Sequence, residues 1–183
     1  NHYSTAYDIA LMSRELITKH PEVSNYATIW MDTFVHTTRK GRTEFGLTNT
    51  NKLIKSYKGI TGLKTGSTSI AKYCLSATAK RDNMDLIAVI LAAPDTKTRF
   101  KEAAKLLNYG FANYSIYVDD NKDIDLEPVK VNKGVLDYVN GHIKDKFSYL
   151  CSKNRSQENI RKEVVLYDKV QAPVSSGDKI GDI

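Results

Sequence analysis

With 183 residues, 41% of them hydrophobic, the chain has enough material to bury a core and to hold one domain or one and a half. A formal charge of +6 suits an anionic partner, but the lysines are scattered, so a polyanionic wall or a membrane surface fits as well as nucleic acid does. No apolar run approaches the roughly 20 residues of a membrane span, and Cys74, Cys151 and the four histidines lack the spacing of a zinc site or a disulfide framework.

In chain order, Ser4-Thr5 ahead of Asp8 has the form of a capping box. Ala6, Ile9, Ala10, Met12, Leu16 and Ile17 then recur at helical spacing until His20-Pro21, which predicts a helix. Tyr26 to Val35 is rich in aromatic and β-branched residues and the chain turns at Gly41, so this region reads as a hairpin or an extended arm. Leu47 to Gly59 is polar and irregular, a long ordered loop or a short helix.

From Leu63 the pattern becomes strand-like. Tyr73 to Ala79 alternates, Lys80 to Asn83 makes a turn, and Leu86 to Ala93 is nearly all apolar, which predicts three consecutive strands ending in an antiparallel hairpin. Cys74 reads as a small buried hydrophobe within that run. Pro94-Asp95 ends the third strand, and Thr98 to Phe111 carries Phe100, Ala103, Ala104, Leu106, Leu107 and Phe111 on one helical face, with closure expected at Gly110. Strand, strand, helix implies an antiparallel sheet covered by a helix, an α+β architecture. Beyond Tyr114 the texture changes to short strands between turn signals such as Asn132-Lys133-Gly134 and Ser175-Ser176-Gly177-Asp178. The expected organisation is an α+β domain over residues 1–115 and a small all-β domain over 116–183.

The chemistry-bearing feature is Lys64-Thr65-Gly66, followed by Ser67 and Thr68 on a strand. Lys64 puts an ammonium at a cleft edge, Thr65 and Thr68 offer hydroxyls, and Gly66 lets a substrate backbone lie close. Together these suit a carboxylate. On an edge strand the Ser67 N–H can also point into the cleft and serve as one of two oxyanion-hole donors.

These residues resemble the third motif of the D-alanyl-D-alanine carboxypeptidases, the low-molecular-mass penicillin-binding proteins, whose motifs are Ser-x-x-Lys, Ser-x-Asn and Lys-Thr-Gly. NHYSTAYDIALMSRELI (Asn1 to Ile17) is similar to the family's helix after its second motif, LTNTNKLIKSYKGITGLKTGST to its approach to the third, and RFKEAAKLLNYGF (Arg99 to Phe111) to its closing helix. The resemblance implies the C-terminal part of a β-lactamase/transpeptidase-like domain, followed by the all-β domain found in many of these enzymes, which is expected to be incomplete in this chain. It implies a serine acyl transfer that removes the terminal D-alanine of peptidoglycan stem peptides, with β-lactam antibiotics as acylating ligands, no cofactor and no nucleic acid. It assigns positive potential and proton handling to Lys64, the terminal carboxylate to Thr65 and Thr68 with help from Arg99, and the oxyanion donor to Ser67. The implied location is extracytoplasmic, with membrane contact only through segments outside this chain.

The motif's serine is the missing part. Ser69-Ile70-Ala71-Lys72 and Ser176-Gly177-Asp178-Lys179 match Ser-x-x-Lys in letters only, because the motif needs a helix that turns the lysine back toward the serine. The first sits in or just after a strand and the second in a turn. Ser152-Lys153-Asn154 matches Ser-x-Asn but follows Lys64 in the chain and falls in the all-β domain, whereas the family places this motif earlier. The nucleophile and base are therefore expected upstream of Asn1, in a half of the protein that pairs with this one, and the 183 residues alone are expected to be inactive. A β-lactamase sharing the triplet, or a non-catalytic cell-wall peptide binder on the same scaffold, are the competing readings. The all-β extension weighs against the former.

Overall fold

The computed structural model describes residues 3–154 and 160–183, in two compact units, 1–114 and 115–183. Asn1 and His2, where the resemblance to the family's helix begins, lie outside the described residues.

The first unit opens with α1 (Ala6–Lys19). Thr5 is its N-cap: the Thr5 hydroxyl accepts from Asp8 N at 3.1 Å, and Thr5 N donates to Asp8 Oδ2 at 3.0 Å. This reciprocal pair satisfies two of the donors that a helix start leaves open. A short α2 (Val23–Ala27) takes up Tyr26, so the first strand begins later than Tyr26. That strand, β1 (Met31–Thr38), pairs antiparallel with β2 (Gly41–Thr48), joined by Arg39 and Lys40. Gly41 at φ +122° accommodates the turn. The irregular stretch contains one helical turn, α3 (Leu53–Ser56).

The three expected strands form one sheet: β3 (Ile60–Thr68), β4 (Lys72–Arg81) and β5 (Met84–Ala93), all antiparallel in the order β3-β4-β5. Gly59 at φ +81° leads into β3, where a Cβ would stand 2.4 Å from the Lys80 carbonyl. In β4, Leu75 through Ala79 are all buried. Successive strand residues face opposite sides, so both faces of the sheet must be covered.

On one face α1 brings Ser13, whose hydroxyl shares a 2.7 Å hydrogen bond with that of Ser76. On the other lies α4 (Thr96–Asn113), with Arg99, Phe100, Ala103, Leu107 and Phe111 buried at spacings of one to four residues. Asp95 caps it, accepting from Thr98 N at 2.7 Å and from the Thr98 hydroxyl at 2.8 Å. Gly110 does not end this helix as expected. Its absent side chain lets α4 approach β5, since a Cβ there would meet Leu86 Cδ1 at 2.4 Å, and Leu86 pairs with Ala79. The glycine is a contact residue rather than a terminator.

Cys74 is half-buried rather than a fully buried hydrophobe, with Sγ donating to Ala71 O at 3.3 Å. It lies where the β4–β5 register shifts between Tyr73 and Leu75, which opens the packing around it.

The second unit is built of short strands. These are β6 (Tyr114–Asp119), β7 (Val129–Asn132), β8 (Tyr138–Val139), β9 (Phe147–Ser152), β10 (Val165–Leu166), β11 (Lys169–Gln171) and β12 (Gly181–Asp182). They pair as β6-β9, β11-β7-β8 and β10-β12. A polar clamp holds the end of β6. Lys162 Nζ reaches Asp119 Oδ2 at 2.7 Å and Asp123 Oδ1 at 2.8 Å, while the Tyr117 hydroxyl donates to Asp119 at 2.8 Å. The hydrogen bond from Lys162, with help from Asn121 N and Tyr117, holds the Asp119 carboxyl down at about 2.

Candidate functional site

The candidate site is the outer edge of β3, which has no strand partner on that side among the described residues. Its register against β4 pairs Lys64 with Ser76, Thr65 with Leu75, Gly66 with Cys74, Ser67 with Tyr73 and Thr68 with Lys72. Alternation therefore sends Lys64 toward the face of Ser76 and α1, and Thr65 toward the opposite face.

Lys64 is exposed, and its ammonium donates to the neighbouring Thr65 carbonyl at 2.5 Å. Thr65 is only 8% exposed, and its hydroxyl lies 2.5 Å from that of Thr50. Gly66 is exposed, and apart from its chain neighbours no atom of the described residues lies within 4 Å of where a Cβ would stand. The space beside the strand is thus open to an incoming backbone. Ser67 and Thr68 are exposed, and the Thr68 hydroxyl accepts from Ala71 N at 2.9 Å. Ser67, Thr68, Ser69, Lys72, Tyr73 and Pro94 line a shallow hollow at this end of the strand. The edge presents an ammonium, hydroxyls and main-chain N–H groups, a donor-rich surface suited to an anion.

Arg99 is not the solvated arginine usual at a helix start. It is 5% exposed, and its Nη1 donates to Gly66 O at 3.2 Å and to Cys74 O at 3.1 Å. Its guanidinium lies 4.7 Å from the Phe100 ring centre and 5.6 Å from that of Tyr73, and Nε has no hydrogen-bond partner among the described residues. Burial lowers its pKa from the ordinary guanidinium value, yet an arginine keeps its charge at any pH a protein meets.

Sequence reasoning passed over Asn49-Thr50-Asn51. Asn49 Nδ2 donates to Ala27 O at 3.0 Å and Ile29 O at 2.9 Å, and its Oδ1 accepts from Asn51 N at 2.9 Å. Asn51, 1% exposed, donates to Gly62 O at 3.0 Å and accepts from Leu53 N at 3.2 Å. The two asparagines tie the preceding loop to the base of β3 and hold Thr50 against Thr65. Asn-Thr-Asn just ahead of a strand, with side chains able to bond nearby backbone, was the available signal.

The look-alike motifs do not take the required form. Ser69 to Ala71 is the turn from β3 into β4, and Lys72 opens β4 at φ +55°, so no helix carries the pair. Ser176 and Gly177 form a turn in the second unit, and Lys179 pairs with Asp182 at 2.7 Å. Ser152 ends β9. Among the described residues no group of three or more His, Cys, Asp or Glu side chains is placed to hold a metal ion.

The architecture is α+β: an antiparallel sheet between helices, with a separate unit of short strands. Comparison with known families gives this class a narrower identity. Residues 1–95 match the family described as D-alanyl-D-alanine carboxypeptidase, and residues 111–183 match the C-terminal domain of penicillin-binding protein 5. The chain belongs to the D-alanyl-D-alanine carboxypeptidase family.

Among curated relatives, D-alanyl-D-alanine carboxypeptidase DacF of Bacillus subtilis is 35% identical over all of this chain and 46% of its own length. DacA of Haemophilus influenzae is 33% identical over all of this chain and 45% of its own. Among solved structures, penicillin-binding protein 5 from Haemophilus influenzae aligns with 99% of this chain and 51% of its own at TM-score 0.67 and 29% identity. A mutant of the Streptomyces K15 DD-transpeptidase aligns with 61% of this chain and 44% of its own at TM-score 0.56 and 34% identity. Penicillin-binding protein D2 from Listeria monocytogenes, solved in a cefotaxime-bound form, aligns at TM-score 0.50 and 40% identity with 59% of this chain and 41% of its own. The chain thus spans about half the length of the curated relatives it matches.

Proposed function

We propose that this chain carries the carboxylate-binding and oxyanion side of a serine D-alanyl-D-alanine carboxypeptidase, completed by a Ser-x-x-Lys helix and a Ser-x-Asn loop that these residues do not contain. The observation that carries the reading is the open, donor-rich edge of β3 from Lys64 to Thr68, with the buried cation Arg99 behind it. Lys64 sets the positive potential and handles the proton, and Thr65 and Thr68 hold the terminal carboxylate of a D-Ala-D-Ala stem peptide. The Ser67 N–H donates to the oxyanion.

In this reaction the serine oxygen bonds to the penultimate D-Ala carbonyl carbon and the peptide C–N bond breaks. The serine's proton ends on the departing D-alanine, and water then hydrolyses the ester. A β-lactam enters the same way, its ring amide taking the place of the peptide. The match of residues 111–183 to a penicillin-binding protein domain favours this reading over a β-lactamase. The all-β unit would act as a spacer or binding platform on the outer face of the cytoplasmic membrane or in the wall.

Labelling with a fluorescent penicillin tests the reading. The 183 residues alone are expected to take no covalent label, and the protein that also carries the serine-bearing segment is expected to take one per molecule. Label on the short chain would mean that Ser69 or Ser176 is a nucleophile after all, and no label on the longer protein would sink the enzyme reading.

A further inference from the structure

Arg99 is a buried cation that forms no ion pair among the described residues, and its bonds go to main-chain carbonyls. One of those carbonyls, that of Gly66, belongs to the same peptide unit as the Ser67 N–H. A trans peptide points its C=O and N–H in opposite directions. Because the same Nη1 also reaches Cys74 O on β4, the Gly66 carbonyl is directed toward β4 and the Ser67 N–H away from it, to the open edge of β3.

A hydrogen bond accepted at an amide oxygen draws electron density away from the amide nitrogen and makes its N–H a stronger donor. The effect is larger when the donor is charged and poorly solvated. The rings of Phe100 and Tyr73 flank the guanidinium and hold its plane.

We propose that Arg99 is a positioning residue for oxyanion stabilisation: it aims and polarises the Gly66–Ser67 peptide. The inference rests on the assignment of the Ser67 N–H as an oxyanion donor. It assigns Arg99 to the acylation step, while the hydroxyls of Thr65 and Thr68 on the strand serve the carboxylate.

The test uses the protein that carries the serine-bearing segment and two thioester acyl donors, one ending in a carboxylate and one lacking it. In each, the serine oxygen takes the acyl group and the thiol leaves with the proton. Loss of a whole oxyanion donor costs two to three orders of magnitude, so loss of its polarisation in Arg99→Met is expected to lower the saturating acylation rate about tenfold. The drop should be similar for both donors, with little change in half-saturating concentration. Arg99→Lys, which keeps a charged donor near the same carbonyls, is expected to recover most of the rate.

A loss confined to the carboxylate-bearing donor, or one seen only in half-saturation, would overturn the proposal. The ratio between donors is taken within each variant, so it does not depend on how much of that variant folds. A second reading needs no activity: the ¹⁵N resonance of Ser67 should move in Arg99→Met and largely return in Arg99→Lys, and an unmoved resonance would overturn the proposal. If the parent protein accepts neither donor, the carboxypeptidase reading fails, and the Ser67 resonance still decides whether Arg99 polarises that peptide.

Discussion

Asn51 is the side chain on which the base of β3 depends most. At 1% exposure it satisfies Gly62 O and the Leu53 N–H at once, and Asn51→Ala strands both. Leaving a buried polar group unpaired costs about 1–3 kcal/mol, so a loss of unfolding free energy of that order is expected, read as a lower urea midpoint with the denaturant slope unchanged. Asn51→Asp keeps the acceptor for Leu53 N but loses the donor to Gly62 O, and should be destabilising too.

Thr50 differs, because its hydroxyl meets that of Thr65. Thr50→Val is expected to leave folding nearly intact while freeing the Thr65 rotamer. In the serine-bearing protein that should raise KM for a carboxylate-terminated peptide severalfold with kcat much less affected, and an unchanged KM would separate Thr50 from substrate binding. Neither residue stands out in a chain rich in Asn and Thr, because their value comes from partners on other elements. The Lys64-Thr65-Gly66 triplet was legible because its residues are adjacent.

At the scale of elements, the turn into β3 and the clamp on β6 each yield a measurable consequence. Gly59 lies at φ +81° with Lys80 O 2.4 Å from where a Cβ would stand, and a backbone carbonyl cannot swing aside as a side chain does. Gly59→Ala therefore combines left-handed strain with a clash. A loss of about 1–3 kcal/mol is expected, seen as faster amide exchange along β3 and β4 first.

The β6 clamp responds to pH. The folded Asp119 carboxyl is depressed from 3.8 to about 2 by the Lys162 hydrogen bond, so its contribution is complete above the unfolded value and lost as pH falls from about 4 toward 2. Lys162 is raised by the Asp119 and Asp123 hydrogen bonds, so its share is complete below its ordinary value of 10.5 and lost as pH rises through the folded one. Protection of the β6 amides, taken relative to the unfolded exchange rate at each pH, should fall between pH 4 and 2, and Asp119→Asn should flatten that dependence. An identical acid profile in the variant would assign the transition to other groups.

For the molecule as a whole, the chain leaves apolar side chains on α1 uncovered, with Tyr7 71% and Met12 57% exposed. If the serine-bearing segment completes the domain as proposed, the protein that carries it should melt higher than these 183 residues alone, with its sheet amides exchanging more slowly. Equal melting temperatures would mean that the segment adds little to the fold.

What the sequence determined by itself was local or periodic: the capped helix, the three strands, the amphipathic closing helix, the change of texture near Tyr114, and the triplet with its family. Hairpin alternation and helical spacing are written in neighbours, so they survive without coordinates. What only the tertiary structure decided depends on long-range approach. Gly110 turned from a helix terminator into the place where α4 meets Leu86. Arg99, given by the resemblance only as a helper at the substrate carboxylate, is a buried cation on the Gly66 carbonyl, 33 residues away in the chain. Thr50 came to rest against Thr65 because two asparagines anchor its loop. Such contacts follow from which faces the sheet and helices bring together, and no spacing along the chain records them.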